Sequence, residues 1–131
     1  MIKILLVEDD FGVRDNLKDF LEFFFDDLEI EQAINGIEGI KRVEETRYNI
    51  LITDQMMPDM KGSEFISTII EKLRRDNTWI YIYSGQLMNE LHSELKGFEE
   101  VRVIDKLTNP IFFKELVEEY RSSQVVINPG T

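Results

Sequence analysis

The sequence predicts an α/β fold: a doubly wound, five-stranded parallel sheet with helices covering both faces. Three observations carry that expectation. Short apolar runs alternate five times with segments of helical spacing along the 131 residues, the pattern of successive strand-then-helix units. The runs at 2–7 and 49–53 are apolar almost throughout, as parallel strands buried on both faces are. Both runs then stop at carboxylates, Glu8-Asp9-Asp10 and Asp54. Ligands of such sheets bind beyond the carboxyl ends of the strands, at the topological switch point.

Each element has its own signal. Residues 2–7 form the first strand. Val13, Leu17, Phe20, Leu21 and Phe24 then recur at helical spacing, and Asp10 is placed to cap that helix. Arg14 is expected in a surface ion pair on it. Residues 28–34 form a second strand, less apolar and so nearer an edge. After Asn35-Gly36, the residues Ile37, Ile40 and Val43 suit a short helix. Residues 49–53 form the central strand. Phe65, Ile66, Ile69, Ile70 and Leu73 mark a helix that begins near Gly62-Ser63. Thr78 to Tyr83, β-branched and aromatic, is a fourth strand. Leu87, Met88, Leu91 and Leu95 give a helix that stops at Gly97, with His92 a solvated residue on it. Val101 to Ile104 is the fifth strand. Pro110 starts the last helix, with Phe113, Leu116, Val117 and Tyr120 facing inward. One domain over residues 1–121 is expected, followed by a polar tail or linker stub at 122–131.

Composition narrows the function. A chain with 43% apolar and 31% charged residues reads as globular. Its formal net charge of -11 disfavours nucleic acid, whose affinity rests on basic contacts to phosphate, and disfavours an anionic membrane surface. The sequence contains no cysteine, which excludes disulfides and thiolate chemistry and agrees with a cytoplasmic location. The apolar N-terminal stretch is short and runs into three acids, unlike a signal peptide. No window approaches a membrane-spanning length. Neither repeats nor low-complexity tracts occur.

The strand ends bring reactive groups to one rim: Glu8, Asp9 and Asp10 from the first, Asp54 from the third, Ser84 and then Gly85 from the fourth, and Lys106 from the fifth. Clustered carboxylates repel, and a divalent cation relieves the repulsion. Mg²⁺ prefers oxygen, so Met56, Met57 and Met60 are loop and packing residues rather than a soft-metal site. Acids to hold the cation, a lysine to neutralise phosphoryl oxygen and a hydroxyl to hydrogen-bond it suit phosphoryl chemistry. No glycine-rich loop follows the first strand, and acids there would repel phosphates, which argues against a nucleotide or flavin site.

Taken in order, Val7-Glu8-Asp9-Asp10, Asp54 with Met57-Pro58 and Gly62, Ser84-Gly85, and Lys106 resemble the motifs of response-regulator receiver domains, the CheY-like modules of two-component signalling. The resemblance covers about residues 2–121. It implies a (βα)5, flavodoxin-like three-layer sandwich with strand order 2-1-3-4-5. It implies that Asp54 is the phosphoacceptor, taking phosphoryl from the phosphohistidine of a sensor histidine kinase or phosphotransfer protein. Asp9, Asp54 and the backbone carbonyl of Met56 would ligate Mg²⁺, and Glu8 would hold a metal-bound water. Lys106 and Ser84 would contact the attached phosphoryl group, and the Gly85 amide another of its oxygens. Pro58 would shape the loop, and Gly62 would permit the turn into the next helix. The surface of helix four, strand five and helix five would then signal to an output protein that the sequence does not identify.

Some positions depart from that pattern. Leu107 follows the lysine where proline is usual, and Asn109-Pro110-Ile111-Phe112 resembles the displaced segment. Either Lys106 is the phosphoryl partner, with a short insertion after it, or Asn109 occupies that position; the Ser84-to-Lys106 separation favours Lys106. Leu107 also disfavours a cis peptide bond there. The aromatic switch position falls at Val103, which leaves output more dependent on the loop after Ser84. Two rival functions follow. One is a pseudo-receiver, an interaction module that is not phosphorylated. The other is a Mg²⁺-dependent phosphatase of the haloacid dehalogenase type, which would need an acid where Met56 stands. Neither rival is needed if the chain is a phosphoacceptor that catalyses only its own phosphorylation and dephosphorylation.

Overall fold

In the computed structural model, which describes residues 1–85, 88–106 and 108–124 (at Met88 and Asn89 the backbone only), strand and helix alternate throughout. The strands are β1 (Ile2–Val7), β2 (Leu28–Ala33), β3 (Ile50–Asp54), β4 (Trp79–Ser84) and β5 (Val101–Asp105). The helices are α1 (Phe11–Phe24), α2 (Gly36–Glu45), α3 (Gly62–Arg75), α4 (Met88–Glu94) and α5 (Ile111–Ser123). The sheet order is β2-β1-β3-β4-β5, with every pairing parallel. This is the expected doubly wound sheet, and β2 does lie at an edge.

Alternation along the strands divides the core between the two faces. Leu5, Val7, Leu51, Ile80 and Ile82 pack with Val43, Phe65, Ile69, Leu91 and Leu95, which places α2, α3 and α4 on one side. Ile4, Leu6, Ile50, Ile52, Tyr81 and Tyr83 pack with Leu21, Leu116, Val117 and Tyr120, which places α1 and α5 on the other. Each fully buried aliphatic side chain contributes roughly 1.5–3 kcal/mol, so these two clusters hold the sheet in place and its loop ends are free to carry chemistry. No helix among the described residues is long and apolar enough to cross a membrane.

Several expectations shift. The buried stripe of α1 contains Arg14 and Leu21, and Phe25 continues it. Val13 and Phe24 lie off that stripe and are about two-fifths exposed, and Ile37 on α2 is 65% exposed. α4 ends at Glu94, before Gly97, whose φ of 93° lies in the left-handed region. Val103 is partly buried against the α2–α4 side of the core, and His92 is exposed. Leu87, Leu107 and residues 125–131 lie outside the described residues, and with them the expectations placed on the Leu107 bond and most of the tail.

Candidate functional site

The register of the sheet builds the site. Leu6 pairs with Ile52 and Val7 with Thr53, and Asp54 pairs with Tyr83. Continuing that register places Glu8, just past β1, beside Asp54. The side chains of Glu8, Asp54 and Tyr83 therefore fall in one row across β1, β3 and β4, on the α1/α5 side. Asp9 follows in the loop. Asp10 caps α1, as expected, its Oδ1 accepting the Val13 N–H at 3.0 Å.

The carboxylates of Glu8, Asp9 and Asp54 offer oxygens that all lie within 4.8 Å of one another. Glu8 and Asp54 are buried and Asp9 is exposed. Burial first, then the hydrogen bond and charge of Asp54, push the Glu8 carboxyl up to about 8, against the hydrogen bond from Tyr83 and the charge of Lys106, which lower it. The donor set fits a hard divalent cation: all three ligands are oxygen, and their mutual repulsion is the kind a bound cation relieves.

Lys106 supplies the positive charge, with its Nζ 3.0 Å from Asp54 Oδ1. The Lys106 N–H donates to the Ser84 carbonyl at 3.1 Å, so the ends of β4 and β5 are joined there. Ser84 is buried at the end of β4. Gly85 is exposed, and a Cβ added to it would meet nothing within 4 Å. Asn109 lies on the surface, its Oδ1 accepting the Ile111 N–H at 3.0 Å at the start of α5. The structure thus brings Lys106, and not Asn109, to Asp54.

The loop after β3 is tied down at several points. The Met56 N–H donates to Asp54 Oδ1 at 3.3 Å, and the Met56 side chain is exposed. Asp59 reaches the N-terminus of α2, accepting from the N–H of Gly36 at 3.0 Å and of Ile37 at 2.8 Å. A Cβ on Gly62 would lie 2.4 Å from the Asp54 carbonyl oxygen and 2.9 Å from Ile82 Cδ1. Gly62 is required by that close approach rather than by a left-handed turn.

Three residues near the site were not anticipated. Among the described residues Arg14 has no ion-pair partner. It is buried, its guanidinium donating to the Glu8 carbonyl at 2.8 Å and to Gln32 Oε1 at 2.9 Å. Its place on the buried stripe, one turn after the cap, is the signal that could have shown this. Gln55, wholly buried, hydrogen-bonds Ser63 and Glu94. Tyr83 donates its hydroxyl to Glu8 Oε2 at 2.8 Å.

Comparison with known proteins identifies the family of the chain. Residues 4–121 match the family model for the response regulator receiver domain. Over 116 residues the chain is 34% identical to the transcriptional regulatory protein CiaR of Streptococcus pneumoniae, covering 88% of this chain and 48% of that one. It spans about half the length of the curated relatives it matches. A receiver domain protein (CheY-like) from Methanospirillum hungatei superposes with a TM-score of 0.80 at 26% identity, covering 95% and 96% of the two chains. The response regulator TrrA of Thermotoga maritima, solved in complex with Mg²⁺ and BeF, gives 0.76 at 26% identity, covering 92% and 99%.

Proposed function

This chain belongs to the response regulator receiver domain family of two-component signalling, and from that premise we propose that it accepts a phosphoryl group on Asp54 from a phosphohistidine, with Mg²⁺ bound. The observation that carries the reading is the grouping of Glu8, Asp9 and Asp54 at one sheet edge with Lys106 Nζ 3.0 Å from Asp54 Oδ1. A nucleophilic carboxylate, a cation site and a positive partner are what phosphoryl transfer needs in one place.

When bound, Mg²⁺ supplies charge neutralisation for the phosphoryl oxygens and orients them for in-line attack. Asp9, Asp54 and the Met56 carbonyl would hold it, with Glu8 on a metal-bound water. Asp54 provides the nucleophile: its carboxylate oxygen bonds to phosphorus as the donor's phosphorus–nitrogen bond breaks, and the electron pair returns to the imidazole. Lys106 then pairs with a phosphoryl oxygen, Ser84 hydrogen-bonds another, and the Gly85 amide is placed for a further one. Drawing in Ser84 and Lys106 biases the α4–β5–α5 surface towards a signalling state. Hydrolysis of the acyl phosphate resets it.

On this reading the module is a signalling protein whose chemistry is confined to its own aspartate. Its donor partner is a sensor histidine kinase or phosphotransfer protein, and the Mg²⁺-dependent setting is cytoplasmic. The expectation of no nucleic-acid contact applies to these 131 residues, whose net charge is -11. For a longer protein carrying such a module it is withdrawn, because CiaR is named a transcriptional regulatory protein.

Intact mass after incubation with acetyl phosphate and Mg²⁺ tests the proposal. One added phosphoryl group is expected, absent without Mg²⁺ and absent in Asp54→Asn. No adduct, together with no binding of beryllofluoride, would establish the pseudo-receiver instead.

A further inference from the structure

We propose that Tyr83 is a positioning residue for the cation site, its hydroxyl holding the Glu8 carboxyl in the orientation that faces Asp9 and Asp54. The inference rests on the reading of those three acids as a divalent-cation site and goes beyond it, since Tyr83 is neither a ligand nor a phosphoryl contact.

The geometry gives the hydroxyl its reach. Tyr83 is paired with Asp54 on the adjacent strand, and β3 lies between β4 and β1 in the sheet. From there the ring spans the Asp54 position, and its hydroxyl donates to Glu8 Oε2 at 2.8 Å. With one carboxyl oxygen engaged, rotation of the Glu8 side chain is restrained.

The ring also has neighbours other than Glu8. Phe113 meets it edge-on, with centroids 6.3 Å apart and planes at 88°. Lys106 Nζ lies 5.5 Å from its centroid. Tyr83 is buried among the α1/α5 side of the core. These neighbours flank the ring whose hydroxyl meets the Glu8 carboxyl. Groups of this kind behind a metal-site acid commonly alter metal affinity 10–100-fold.

The hydroxyl needs an explanation that packing does not supply. A phenyl ring would fill the same space against Phe113 and the core, while a buried phenol oxygen needs a hydrogen-bond partner. Glu8 is that partner. The same ring contacts Lys106, so Tyr83 touches the acidic and the basic sides of the Asp54 site.

Mg²⁺ titration by calorimetry, at one pH, separates the possibilities. Tyr83→Phe keeps the ring and is expected to weaken Mg²⁺ binding about tenfold. In a Glu8→Gln background the same change should alter affinity by less than about twofold, because the carboxyl that the hydroxyl orients toward the cation is gone. Tyr48→Phe is the control: Tyr48 is equally buried and donates to Glu31 Oε1 at 2.7 Å, so it should lose stability and leave Mg²⁺ affinity unchanged. Wild-type affinity in Tyr83→Phe, an equal loss in the Glu8→Gln background, or an equal loss in Tyr48→Phe each overturns the role of Tyr83 alone. Absence of Mg²⁺ binding by the wild type overturns the cation site itself.

Discussion

Lys106 Nζ and Asp54 Oδ1 lie 3.0 Å apart, although Asp54 is almost wholly buried and the lysine side chain is 39% exposed. The lysine reaches in from the end of β5 to the one acid that the sheet register places beside Tyr83. If Lys106 is the phosphoryl partner, Lys106→Ala removes a hydrogen bond to a charged group, an effect of about 1.5–3 kcal/mol. The yield or rate of the Mg²⁺-dependent acetyl phosphate adduct should then fall at least about tenfold. Asn109→Ala removes only the acceptor of the Ile111 N–H. It should cost about 0.5–1 kcal/mol of stability and leave the adduct intact. The opposite pattern would return the phosphoryl position to Asn109.

Asp59 is expected to make stability pH-dependent. Burial tends to raise its carboxyl, but the backbone N–H groups of Gly36, Ile37, Asp59 itself and Met60 together outweigh that and lower it. A depressed folded-state value contributes stability that is present above the unfolded-state value and is lost as pH falls through the folded one. Asp59→Ala should therefore lower the unfolding free energy at neutral pH, measured by urea denaturation, by about 1 kcal/mol as for a lost helix cap. The difference from wild type should shrink as the pH is taken below 4, the region of an ordinary aspartate. A difference that persists unchanged in acid would mean that the carboxylate charge plays no part.

The strands and the acids Glu8, Asp9 and Asp54 were legible because two signals coincide: buried parallel strands are apolar almost throughout, and their polar termini fall at one edge; the strand order came from the resemblance to receiver domains. The 49–53 run and its terminal Asp54 show this directly. What was missed depends on contacts between distant segments. Arg14 looked like a surface cation, yet it lies on the inward stripe of α1 and donates to Gln32 on β2 as well as to the Glu8 carbonyl. Tyr83 looked like one more β-forming aromatic, and only the parallel register reveals that it shares a row with Glu8 and Asp54. The helical spacing of Val13 and Ile37 overstated their burial, because a stripe of apolar residues is wider than the strip that the sheet covers.

Gly62 and Gly85 make a controlled pair. At Gly62 a methyl group would press on the backbone carbonyl of Asp54 at 2.4 Å and on Gln55 Cα at 3.1 Å, neither of which can rotate aside. Gly62→Ala should cost about 1–3 kcal/mol and displace Asp54 enough to lower acetyl phosphate labelling. At Gly85 the added methyl group meets nothing within 4 Å, and Gly85→Ala should leave the unfolding free energy within about 0.5 kcal/mol of wild type. Chemical denaturation of both variants, followed by the labelling assay, gives the answer. Equal effects at the two positions would contradict the packing argument.

The residue after Asp54 anchors α4. Gln55 Oε1 accepts the Ser63 N–H at 2.8 Å, and its Nε2 donates to Ser63 Oγ at 3.1 Å and to Glu94 Oε2 at 2.8 Å. Ser63 Oγ donates to the same Glu94 oxygen at 2.8 Å, and Lys61 Nζ reaches Glu94 Oε1 at 3.2 Å. The last residue of a seven-residue helix is thus fastened to the segment that carries Asp54. Removing one member of a buried network leaves the others unsatisfied, at about 1–3 kcal/mol. Gln55→Ala should sit at the upper end, because Gln55 is wholly buried. Glu94→Ala should sit at the lower end, because its side chain is 30% exposed and water can replace it. The two changes share a hydrogen bond, so their combined cost should fall short of the sum by at least about 0.5 kcal/mol. Amide hydrogen exchange should quicken in α4, at Leu91 and His92, in both single variants and leave β1 protected. Additive costs with unchanged exchange in α4 would show that the network packs the loop without holding the helix.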